Sequence, residues 1–146
     1  MLSALDIAEY FIAMDSEDEV SNLKLQKLLY YAQGSFLAIF NKPLFKEHIE
    51  AWRHGPVIRE VYNYYKEYGS NPIKINNFNG SFFDSMMIDE KEIIEEVQDI
   101  YGSLSAWKLR DMTHQDACWK NNYISDNPTK VIPLEEIKIT FASKVA

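Results

Sequence analysis

The sequence predicts a single mainly α domain over residues 1–146, a compact helical bundle built around one central helix at about residues 22–40. Three observations predict it. The stretch Lys24 to Gln33, KLQKLLYYAQ, is apolar in two directions of a helical wheel, which suits a helix with neighbours on both sides. Helix-start residues recur ahead of helical periods, at Ser3, Ser21 and Ser105, and Gly69 and Gly102 follow two others. At 146 residues, 47% hydrophobic and 25% charged, the chain suffices for one core and would give two marginal ones if split. Internal repeats, low-complexity tracts and Gly/Ser linkers are absent from the sequence.

In chain order, Ser3 caps a first helix reaching Met14, with Leu5, Ala8, Ile12 and Ala13 expected inside and the acidic run from Asp15 ending it. Ser21 or Asn22 caps the central helix. Its stripe is Leu25, Leu28, Leu29, Ala32, Phe36, Ile39 and Phe40, opposed by Leu23, Tyr30 and Leu37. Gly34 within it costs about 1 kcal/mol relative to alanine, which a ring packed into the gap would offset, and the tryptophans are the first candidates. Lys27 projects to the same side and is expected either to meet Glu50 or to snorkel to water.

Asn41 to Pro43 is turn chemistry, and residues 44–52 lack a helical period, so they read as extended or irregular chain with room for a short β element. Pro56 after Gly55 is placed in the first turn of a third helix ending at Gly69, with Val57, Val61, Tyr64, Tyr65 and Tyr68 inward. Tyr62 lies at the edge of that arc. The Asn, Gly and Pro content of 70–83 marks a long connection in which Pro72 to Ile75 suits a short strand. Asp89 with Glu92 approximates a capping box for a fourth helix carrying Ile93, Ile94, Val97, Ile100 and Tyr101, ended by Gly102. Ser105 caps a helix through Met112, residues 116–123 add a helical turn or two, and Pro133 starts a last helix through Phe141.

Chemical motifs are sparse. His114 and Cys118 share i, i+4 spacing, but a zinc site needs further ligands and only His48, His54 and Asp116 are available, so no metal or cofactor is expected. No signature surrounds Cys118 as a nucleophile, the five glycines form no phosphate loop, and no catalytic residue is assigned. The longest apolar run, residues 28–40, is interrupted by Gln33, Gly34 and Ser35 and is shorter than the roughly 20 residues of a membrane span. One cysteine and an N-terminus without a signal-peptide pattern point to the cytoplasm. A net charge of −7 opposes generic affinity for nucleic acid and suits a basic protein partner.

With these residues in view, the chain resembles the SocA-like, or Panacea, antitoxin-domain family, known also from phage-associated proteins of the GepA type. The matching blocks are Lys24 to Gln33, Pro43 to Phe45, Ile49 to Trp52 with Gly55 to Val57, Val61 with Tyr62, and Thr113-His114 with Trp119. The resemblance implies a mostly helical, non-enzymatic domain that binds and neutralises a cognate protein toxin, with some members acting as adaptors for a Clp-type protease. It leaves two rivals, a phage regulator that binds nucleic acid and a small Cys- or metal-dependent hydrolase. The chain is expected to hold little beyond the domain, without room for an appended helix-turn-helix. Trp52, His54, Tyr62 and His114 are the expected toxin-binding residues, and Leu25, Leu28, Leu29, Gly34, Gly55, Pro56 and Trp119 the structural motif.

Overall fold

In the computed structural model, which describes residues 1–17, 19–75 and 80–145, the described residues form seven α-helices and a small three-stranded sheet. The first helix, α1 (Ala4–Met14), begins where Ser3 accepts from the Asp6 amide and the Asp6 carboxylate accepts from the Ser3 amide, a reciprocal cap. Ser21 caps α2 (Asn22–Phe40) by accepting from the Lys24 amide, and Asn41 ends it in the left-handed conformation at φ 56°. The inward face of α1 is Ala4, Ile7, Ala8, Phe11 and Ile12; Leu5 is half-buried and Ala13 exposed, so the expected face was rotated.

Helix α2 is the centre of the fold. It touches α1, a hairpin of β1 (Glu50–Trp52) and β2 (Gly55–Val57), α3 (Arg59–Tyr65), α4 (Ile88–Tyr101), α5 (Ala106–Thr113) and α7 (Leu134–Ala142). Leu25, Leu28, Leu29 and Ala32 are wholly buried, as is Tyr30 on the opposite side, whereas Ile39 is about half exposed. At Gly34 any Cβ would fall inside the ring of Phe141 on α7, so the residue filling the gap is a phenylalanine and none of the tryptophans. Tyr30 and Phe141 meet edge to face at 5.0 Å, and Tyr31 stacks on Tyr101 at 4.0 Å.

Asn22, Lys24, Gln26, Lys27 and Gln33 of α2 are buried too, and they bond backbone groups of the segments packed around the helix. Gln33 donates to the Phe45 carbonyl and accepts from the Leu44 amide, at 2.9 and 2.7 Å. Gln26 accepts from the Ile58 amide at 2.8 Å, Asn22 donates to the Tyr62 carbonyl at 3.0 Å, and Lys24 donates to the Gly102 carbonyl. Buried backbone outside helices and strands needs such partners, and α2 supplies them from a rigid rod.

The sheet runs β2-β1-β3, with β3 at Lys130–Val131 and both pairings antiparallel. Pro56 belongs to β2, opposite Ala51, and does not open a helix; α3 starts three residues later at Arg59. A proline is tolerated there because β2 is an edge strand. Val61 and Tyr65 face inward from α3, while Tyr64 is 62% exposed. Residues 72–75 form no strand; the Ile73 amide donates to the Val20 carbonyl, and residues 76–79 of the same connection lie outside the described chain. Helix α4 is capped by Glu90 accepting from the Met87 amide rather than by the Asp89–Glu92 pair. Ile100 points out at 54% exposure, and Gly102 ends the helix at an ordinary φ of −64°. Ser105 caps α5 through the Lys108 amide, and α6 (Ala117–Lys120) and α7 follow as expected.

Candidate functional site

The hairpin β1–β2 turns over two residues, Arg53 and His54, and both side chains stand exposed at its tip. Gly55 follows with φ 112°, a conformation that favours glycine, and a Cβ there would lie 2.8 Å from both Lys27 Cε and Thr113 Oγ1. That close approach seats the tip directly over α2 and α5. Lys27 lies beneath it, wholly buried, donating to the Pro56 carbonyl at 3.0 Å. It neither meets Glu50 nor reaches water. Burial first, then the Arg110 charge, lower its pKa to about 7.

Glu50 serves the hairpin differently. It accepts from Trp52 Nε1 at 2.8 Å and pairs with Arg59 at 3.0 Å, which fixes the Trp52 ring against Tyr62, edge to face at 4.9 Å. His54 Nδ1 accepts from Arg110 Nε at 3.1 Å, so that nitrogen carries no proton. Partial burial, followed by Arg110, Arg53 and Lys27, holds His54 below the usual histidine pKa and favours the same neutral form. The His54 ring meets Trp107 edge to face at 5.8 Å, and the Arg110 guanidinium lies 5.1 Å from the Trp107 ring centre.

Trp52, His54, Tyr62 and Trp107, together with Arg53, wall a groove of about 340 Å³ floored by Gln26 and Val57. Three of the four sequence-nominated residues therefore line one cavity. The fourth, His114, stands behind it, half-buried and stacked on Trp119 at 4.1 Å and 8°. Trp119 in turn stacks on Tyr123 and donates to the Trp52 carbonyl at 2.8 Å, so this ladder braces the back of β1. Two contributors were missed in the sequence, Trp107 and Arg110. Their i, i+3 spacing places both on one face of a short helix, but nothing local ties that face to the hairpin.

The cysteine faces away from all this. Cys118 is 1% exposed, its sulfur 3.1 Å from the Tyr30 hydroxyl, which also donates to Asp116 at 2.7 Å. Burial pushes its thiol up, against the thiolate a nucleophile needs. Among the described residues no three of His, Cys, Asp and Glu converge on a common point, and no helix is long and apolar enough to cross a membrane.

Residues 25–120 match the family model described as antitoxin SocA-like, Panacea domain. The chain is similar to a protein named antitoxin SocA from Caulobacter vibrioides (strain NA1000 / CB15N), at 35% identity over 103 residues, 65% of this chain and 55% of the relative. It thus spans about half the length of the curated relative it matches. No solved structure matches it. The matched span runs from the first turn of α2 through the hairpin to the end of α6, and the chain belongs to the SocA-like antitoxin family, as a Panacea domain.

Proposed function

We propose that this chain neutralises a cognate protein toxin in the cytoplasm by binding it, with the groove at the hairpin tip as the anchoring point. The observation that carries this reading is the grouping of partly exposed aromatics, Trp107 at 58% and Tyr62 at 36% exposure beside Trp52 and His54, on elements held rigid from below. Large rings presented with few free rotamers are the residues that dominate protein interfaces, because little entropy is lost when they are buried. A stable interface of standard size, roughly 800 Å² per partner, would extend beyond the groove over α3 and α5. The name of the SocA relative and the resemblance both favour a toxin as that partner.

Delivery of the toxin to a Clp-type protease would use the same binding step. The test is co-expression of the chain with the product of its neighbouring gene, scoring growth and toxin half-life. Rescue by the parent and its loss in Trp107→Ala, with helicity and melting temperature kept, supports the groove. A shortened toxin half-life indicates delivery and an unchanged one indicates blocking. Full rescue by Trp107→Ala and Tyr62→Ala at low dose sinks the groove as the anchor, and a salt-dependent DNA mobility shift would favour the nucleic-acid rival instead.

A further inference from the structure

The groove is electrostatically opposite to the chain that carries it. Net charge is −7, yet no Asp or Glu lines the groove. Arg53 stands exposed on its rim and has no ion-pair partner among the described residues. Arg110 reaches the wall through His54, and the amine of Lys27 lies under the floor. Arg110 and Arg53 both lie close enough to act on His54, which puts two permanent positive charges beside the groove. Two carboxylates beside the groove are already engaged, Glu50 by Arg59 and Trp52 Nε1 and Asp111 by Arg110.

Resting on the groove as the binding site, we infer that its occupant is an acidic segment of the protein partner: an apolar side chain inserted among Trp52, Tyr62 and Trp107, flanked by a carboxylate that meets Arg53 and Arg110. Several features suit that chemistry. At about 340 Å³ the groove fits one large side chain, near the lower end of the roughly 300–1,000 Å³ typical of ligand pockets. Arginine forks match carboxylates with two parallel hydrogen bonds, and the Arg110 guanidinium lies over the Trp107 ring while its Nη1 reaches Asp111, whose 68% exposed side chain a partner carboxylate can replace. A neutral His54 adds apolar edge without competing for the anion. A basic segment, which the overall charge would attract from a distance, meets unpaired Arg53 at the contact itself.

All three tryptophans of the chain sit in or behind this groove, so their fluorescence reports its occupancy. The test titrates the full chain with three blocked peptides, acetyl-EDFLDE-amide, acetyl-SSFLSS-amide and acetyl-KKFLKK-amide. The acidic peptide is expected to shift the emission and to bind at least about ten-fold more tightly than the lysine peptide. That preference should shrink between about 50 mM and about 500 mM salt, as screening predicts. Arg53→Glu, an exposed tip substitution checked by circular dichroism, should abolish or reverse it, and Trp107→Ala should weaken the acidic and neutral peptides alike. Equal or tighter binding of the lysine peptide, an acidic peptide indifferent to Arg53→Glu, or no binding of any peptide overturns the inference. Those outcomes leave the groove's toxin role standing if Trp107→Ala still loses growth rescue; retained rescue in that variant removes the toxin role itself.

Discussion

Two aromatic clusters lie along α2, and they are built from the same residue types for opposite ends. Around the middle of the helix Tyr30, Tyr31, Tyr101 and Phe141 close over Gly34, with Tyr30, Tyr31 and Phe141 at most 1% exposed. Around its N-terminal end Trp52, Tyr62, His54 and Trp107 stand half-covered, spaced by arginines and tied by hydrogen bonds to Glu50 and Arg110. In the first cluster the rings pack on one another and on the Gly34 backbone, so their apolar area stabilises the fold. In the second, Trp52 and His54 are held by polar bonds at their ring edges, Tyr62 and Trp107 meet them edge to face, and part of each ring stays open to solvent. The two clusters thus differ both in how far their rings are buried and in how each ring is held.

The largest way to break this comparison is Phe141→Ala, which should cost about 3–5 kcal/mol in chemical denaturation, since it empties a site against which the Gly34 backbone and two tyrosines pack. Gly34→Leu should cost about 1–3 kcal/mol by overpacking the same ring. Combined, the two should be less damaging than their sum, because the added side chain enters the space the phenylalanine leaves. A purely additive double variant would mean the two sites are not in contact.

Lys27 sharpens the contrast, because it is a buried amine beneath the outer cluster with a pKa lowered to about 7 by burial and Arg110. An unfolded lysine titrates near 10.4, so between about pH 7 and about pH 10.4 the unfolded chain holds a proton the folded chain lacks. Stability should therefore rise with pH across that window, by up to about 1.4 kcal/mol per unit, with the penalty complete below it. Lys27→Met should flatten this slope in denaturation series run at several pH values. A variant with the parent's slope would place the titration elsewhere.

The smallest expected effect falls on the outer rings. His54→Ala and Tyr62→Ala should keep melting temperatures within a few degrees of the parent, as surface changes of about 0.5 kcal/mol do, while each weakens toxin binding by more than about 1 kcal/mol. Trp52→Ala should fall between the clusters, because its ring is half-buried yet lines the groove. Melting losses for His54→Ala or Tyr62→Ala as large as those for Phe141→Ala would erase the distinction between the two clusters.

How much of this was legible follows from range. Capping serines, the helical period of α2 and Pro133 before α7 act within a turn or two, and their elements came out where the residues put them. The Trp52 to Pro56 stretch did not, because a proline that can begin a helix can also sit in an edge strand, and pairing with Ala51 settled which. Tyr62 and His54 were nominated from their types, but their convergence with Trp107 and Arg110 joins residues some fifty positions apart and has no local signal. Gln33 reads as an interruption of an apolar run and Lys27 as an amine in search of Glu50 or water; in the fold both, with Gln26, are fasteners for the hairpin and the loops.

By itself, then, the sequence determined a mainly α fold, a helix at its centre and membership of a family, since periodicity, caps and the KLQKLLYYAQ block are local properties of the chain. Only the tertiary structure decided which ring fills Gly34, what holds Lys27 and which charges surround the groove. Those depend on side chains meeting across long sequence separations, where a net charge of −7 spread over the whole surface is compatible with a cationic groove at one corner.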